Sequence, residues 1–119
     1  MEKKNLDWGN IGFSYVTTDY RYVSNYKDGK WDEGTLTEDP NVVINECAGI
    51  LQYCQECFEG LKAYTTEDGS IVTFRPDLNA ERMMDSCARL EMPQFPKERF
   101  MEALDKVVKA NEAWVPPYG

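Results

Sequence analysis

The stretch Phe58–Leu90, FEGLKAYTTEDGSIVTFRPDLNAERMMDSCARL, decides the reading of the fold. Two strand-like runs, Gly60–Thr66 and Ser70–Arg75, flank Glu67-Asp68-Gly69. An acidic turn closed by glycine supplies the positive φ of a tight reversal, so these runs predict a β-hairpin. Pro76 follows at once, and proline is tolerated in a first helical turn because its missing N–H has no intrahelical partner there. The helix it opens sets Leu78, Met84, Cys87 and Ala88 toward one side.

Upstream, Ile11–Asn25 (IGFSYVTTDYRYVSN) interleaves aromatic and β-branched residues with polar ones and reads as one or two strands. Asp28-Gly29 reads as a turn and Lys30-Trp31 as a short return strand. Asn41–Glu46 (NVVINE) reads as a further extended piece. From Glu46 to Cys57, the three- and four-residue steps among Ile50, Tyr53, Cys54 and Cys57 predict a short helix that ends before Gly60. Downstream, a second long helix begins near Pro96. Phe100, Leu104, Val107, Val108 and Val115 form its buried stripe, and Glu102–Lys106 and Asp105–Lys109 pair on its wet face. Strands, a hairpin and then two helices define an α+β domain, an antiparallel β-sheet packed with helices.

The 119 residues fit one domain, which at this size buries about two-thirds of its unfolded surface, so a core is expected without disulfides. Hydrophobic residues at 42% and charged residues at 29% are ordinary globular values. The charge, 13 − 21 = −8, argues against nucleic acid and anionic membrane as partners. Met1-Glu2-Lys3-Lys4-Asn5 has no apolar run behind its lysines, and no segment nears the roughly 18 apolar residues of a membrane span. A cytoplasmic location is the expectation. The closing WVPPYG leaves Trp114, Val115 and Tyr118 without a downstream cover and reads as a domain boundary.

Histidine is absent, so a structural zinc site would need all four cysteines, Cys47, Cys54, Cys57 and Cys87, as thiolates. Their intervals of six, two and twenty-nine residues lack the paired knuckles of a zinc ribbon, and one C-x-x-C near a helix end is a weak redox signal. The cysteines read as small core fillers, with no metal expected. A non-catalytic module binding a metal or partner through Cys54 and Cys57 is the competing reading.

FEGLKAY at Phe58–Tyr64, the hairpin TTEDGSIVTFRP and LNAERMMDSCARL closely resemble the small domain of branched-chain amino acid aminotransferases, pyridoxal-phosphate enzymes of fold type IV. Phe13 in GFSYVTTDY and the final WVPPYG match the same family, so the resemblance runs from about Asp7 onward. Related D-amino acid aminotransferases and aminodeoxychorismate lyases usually carry Gly-Asp-Gly where this chain reads Gln55-Glu56-Cys57, which favours the branched-chain group.

The resemblance implies that residues 1–119 form the N-terminal small domain and that the cofactor-bonding lysine and the acid facing the pyridine nitrogen lie in a larger domain after Gly119. It implies no catalytic residue in this chain, which alone is expected to be inactive. Arg82 matches the arginine that binds the phosphate of pyridoxal 5'-phosphate, where a guanidinium offers several fixed donors to an oxyanion. Phe13, Tyr53 and Phe58 match residues that line the pocket for the branched side chain of leucine, isoleucine or valine, with 2-oxoglutarate as the 2-oxo acid. Tyr53 matches a position that reaches into a partner's site, which implies a homodimer. Lys62 alternates away from Leu61 and Ala63 and reads as a solvated charge; Glu59 has no clear task, and Arg75 and Arg89 read as structural.

Overall fold

Asp28 and Gly29 adopt φ of 53° and 79°, the paired positive values that let a two-residue turn follow the twist of its strands. In the computed structural model, which describes residues 1–119, this turn joins β2 (Tyr26–Lys27) to β3 (Lys30–Trp31). A second pair encloses it: β1 (Arg21–Val23) runs antiparallel to β4 (Thr35–Thr37), with Arg21 opposite Thr37 and Val23 opposite Thr35. Between the two pairs the ladder is interrupted, and the Asp32 carboxylate bridges the gap. It accepts hydrogen bonds from Ser24 Oγ at 2.9 Å and from the backbone N–H groups of Asn25 and Gly34 at 3.1 and 2.9 Å. These donors, Ser24 foremost, hold its pKa below the usual carboxylate value.

The hairpin foreseen from the sequence forms as β5 (Ala63–Thr65) and β6 (Ile71–Thr73), antiparallel with Ala63 opposite Thr73. Gly69 sits at φ 85° in its turn. The α+β class therefore holds, but the expected single sheet is divided into three separate two-stranded ribbons. Each paired run is only two or three residues long, too short to offer a third strand a continuous edge. Asn41–Glu46 joins no ladder.

Three helices complete the chain: α1 (Gly49–Tyr53), α2 (Pro76–Arg89) and α3 (Lys97–Ala110). The first is shorter than the predicted 46–57 helix because Cys54 turns left-handed at φ 52° and ends it. Pro76 opens α2 as expected. Its buried positions are Ala80 and Cys87, two turns apart, with Met83 and Met84 half-buried between them; Leu78 and Ala88 face solvent. Asn79 points inward to Glu59 and Gly60, which sets the inner face one residue past Leu78. Along α3, Phe100, Leu104, Val107 and Val108 are half-buried, and the Glu102–Lys106 and Asp105–Lys109 pairs lie on its exposed side at 2.5 and 2.9 Å.

Two long-range ties fix the periphery. Asn111, just past α3, accepts from the Tyr20 N–H and donates to the Tyr20 carbonyl, both at 2.9 Å, while Lys4 N–H donates to the Ala113 carbonyl at 2.9 Å. The β2–β3 turn docks on the α2–α3 connection through Trp31, whose indole N–H donates to the Gln94 carbonyl at 2.9 Å and whose ring meets Phe95 edge-on at 5.0 Å.

The core expected for this length is not assembled within the chain: Ala80, Cys87 and Val115 are the three buried residues. The accessible surface is 9197 Å², against about 6,600 Å² for a folded monomer of this mass. The radius of gyration, 16.0 Å, likewise exceeds the roughly 13.5 Å of a compact chain of this length. No helix is long and apolar enough to cross a membrane.

Candidate active site

A polar constellation joins the loop after α1 to the first turns of α2. Asn79 and Arg82 stand three residues apart on α2, so their side chains leave the same helical face. Both reach Glu59, whose side chain is only 6% exposed. Arg82 Nε donates to Glu59 Oε2 at 2.8 Å and its Nη2 donates to Oε1, a two-pronged pairing. Asn79 Nδ2 adds a bond to Oε1 at 2.8 Å and another to the Gly60 carbonyl at 3.1 Å. With Arg82 as the main cause and Asn79 next, the Glu59 carboxyl is lowered from 4.5 to about 2, and the guanidinium is correspondingly raised.

The pairing consumes two of the five N–H donors of Arg82. The remaining donors belong to a side chain that is 68% exposed. Glu59 and Asn79 therefore hold the guanidinium plane while leaving one edge of it open to an oxyanion. That donor set fits a phosphate group. Glu59, which the sequence left without a task, supplies the orientation; the i, i+3 spacing of Asn79 and Arg82 is visible in the sequence, but nothing there connects them to a carboxylate twenty residues upstream.

The three candidate pocket aromatics are all on the surface: Phe13 is 110% exposed, Tyr53 86% and Phe58 91%. Phe13 lies in a turn after the 3-10 segment Trp8–Asn10, not in the expected strand; the local chain turns through Gly12 at φ 60° instead of extending. Tyr53 ends α1, and Phe58 immediately precedes Glu59, its ring lying close over Gly60. Phe58 thus adjoins the Glu59–Arg82 pair in sequence. A concavity of about 990 Å³ is lined by other residues, among them Trp8, Ile11, Tyr64, Trp114 and Tyr118.

Lys62 is exposed and Leu61 and Ala63 half-buried, as strand alternation requires. Arg75 pairs with Asp77 through Nε at 3.0 Å and Nη2 at 2.9 Å, a local contact at the start of α2. The cysteines do not all fill the interior: Cys47 and Cys54 are exposed, Cys57 is half-buried and Cys87 is buried. No three metal-ligating side chains converge.

No protein-family model matches the chain. It is 57% identical over 116 residues to a branched-chain-amino-acid aminotransferase of Haemophilus influenzae, an alignment spanning 98% of this chain and 34% of that protein. By sequence, this chain is similar to part of the branched-chain-amino-acid aminotransferases. The corresponding protein of Helicobacter pylori is 46% identical across 97% of this chain and 34% of its own length. A methionine aminotransferase of Arabidopsis thaliana is 42% identical across 97% of this chain and 33% of its own. The chain spans about a third of the length of the curated relatives it matches.

Proposed function

We propose that residues 1–119 are the N-terminal lobe of a pyridoxal-phosphate transaminase that moves an amino group between leucine, isoleucine or valine and 2-oxoglutarate. The observation that carries this reading is the 57% identity to a branched-chain-amino-acid aminotransferase over 98% of the chain. The share of the relatives covered, about a third, supports a second lobe that contributes the lysine and the acid facing the pyridine nitrogen. A two-lobed enzyme also accounts for the surface excess of this chain. When bound, pyridoxal 5'-phosphate supplies the carbonyl group that receives the amine and the ring that withdraws electrons from it.

In this reading Arg82 anchors the cofactor phosphate through the donors Glu59 leaves free. Glu59 offsets part of the positive charge, so further donors are required around a dianion. Phe13, Tyr53 and Phe58 form the apolar wall for the substrate side chain. Their exposure supports that role, because three large aromatics open to water are surfaces awaiting a partner rather than core. An aliphatic side chain has no charge to grip, and one methylene changes discrimination by only about 1–3 kcal/mol, so shape must select it. Tyr53, at the end of a short helix, completes the site of a second copy in a homodimer.

The test is amino transfer to 2-oxoglutarate by the complete polypeptide that carries this chain. Branched aliphatic L-amino acids are expected to react, D-amino acids are not, and the 119-residue chain alone is expected to give no turnover. Activity restricted to D-amino acids overturns the substrate assignment, and turnover by the 119-residue chain overturns the division of labour between lobes. Methionine belongs in the same assay, since one relative is named for it and an unbranched thioether fits the same kind of apolar wall.

A further inference from the structure

The cysteine sulfur that faces Cys57 is that of Cys87, not of its C-x-x-C neighbour Cys54. The two Sγ atoms lie 3.6 Å apart although thirty residues separate them in the chain. Cys57 sits half-buried in the irregular segment between α1 and β5, and Cys87 is buried on α2. We propose that this pair is an oxidation site, at which a hydroperoxide converts the two thiols into a reversible Cys57–Cys87 disulfide.

Geometry and access set the order of events. A disulfide needs its sulfurs about 2.05 Å apart, so closure is a short approach, and the loop bearing Cys57 can yield where the helix bearing Cys87 does not. The more accessible sulfur reacts first: the Cys57 thiolate attacks one peroxide oxygen, the O–O bond breaks, the departing hydroxide takes up a proton as water, and Cys57 becomes a sulfenic acid. The Cys87 thiol then gives up its proton, its sulfur attacks the Cys57 sulfur, the S–O bond breaks and a second water leaves. Two thiols and one peroxide thus give one disulfide and two waters. Burial, with the contact to Cys57 adding to it, pushes the Cys87 thiol up to about 11, which keeps it protonated and unreactive toward peroxide; its proton leaves only with the hydroxyl departing from Cys57.

The bond would fasten the Phe58-Glu59 loop to α2 at a point five residues past Arg82. Its formation depends on these two sulfurs and an oxidant, and therefore stands whether or not the transaminase reading does.

The experiment uses the complete polypeptide with Cys47→Ser and Cys54→Ser, exposed to hydrogen peroxide, blocked with N-ethylmaleimide and cleaved with trypsin. The expected product is the Trp31–Lys62 peptide joined to Met83–Arg89, lost when the sample is reduced before cleavage and absent in Cys87→Ala. In Cys57→Ser, Cys87 is expected to remain a blocked, unoxidised thiol. Recovery of both peptides unlinked, with Cys57 either intact or carried on to its sulfinic acid, overturns the proposal. So does a bond from Cys57 to any other cysteine. Direct oxidation of Cys87 in Cys57→Ser overturns the assigned order.

Discussion

Glu59 and Arg82 form a two-pronged ion pair whose carboxylate is sheltered and whose guanidinium is open to solvent. The asymmetry makes the carboxylate the fixed member and leaves the arginine the accessible one. The folded-state pKa of Glu59 is depressed from 4.5 to about 2, so its contribution to stability is fully present above about pH 4.5 and is withdrawn as pH falls through 2. The stability difference between wild type and Glu59→Gln, followed by urea unfolding across this range, is expected to be largest above pH 4.5 and to shrink steadily below it. A difference independent of pH would place the effect in packing instead of charge.

Replacing Asn111 by Ala strands the N–H of Tyr20 and leaves its carbonyl only a 3.5 Å contact from the Thr18 hydroxyl. Each partly buried group left unpaired costs about 1–3 kcal/mol before water recovers part of it, so a loss of roughly 2 kcal/mol is expected. Asn111→Asp keeps the acceptor for the Tyr20 N–H but sets a carboxylate oxygen against the Tyr20 and Val107 carbonyls at the end of α3, so it should be no more stable than Asn111→Ala. Chemical denaturation midpoints measure both.

Gly34 combines a φ of 73° with a close approach: a Cβ there would meet Tyr22 Oη at 2.1 Å. The Gly34→Ala variant must therefore displace the Tyr22 ring and break the bond from its hydroxyl to the Glu33 carbonyl. In a Tyr22→Leu background the steric part vanishes and a backbone penalty of about 1–2 kcal/mol persists. A double-mutant cycle separates the two, and additivity would show that ring and backbone do not compete for the same space.

Cys54 ends α1 with a left-handed backbone that a side chain resists. Cys54→Gly removes that resistance, worth about 1–2 kcal/mol, and adds roughly 0.5–1 kcal/mol of unfolded-chain entropy. A net stabilisation of about 0.5–1 kcal/mol is expected, visible as a raised unfolding midpoint.

Local signals were the legible ones. The turn at Gly69, the proline opening α2 and the salt-bridged face of α3 depend on residues close in sequence, and each stands where the pattern puts it. The division into three ribbons was not legible, because strand propensity says which residues extend and not how far a ladder continues. The reading of buried stripes went astray for a related reason. Leu78 and Ala88 are apolar and correctly spaced, yet Asn79 takes the inner position through its bonds to Glu59 and Gly60. At the candidate site, the motif singles out Arg82 as a candidate but not its partner, since a pairing across twenty-three residues leaves no periodic trace.

The tie between Tyr20 and Asn111 also has a temporal meaning. Each of the three ribbons closes within a short span, so each can form soon after its own residues are made. Residues 1–20 join no ribbon; their anchors, Asn111, Glu112 and Ala113, emerge only after α3. The first residues of this chain thus settle only after α3 has been made, and until then a nascent chain would carry them unattached.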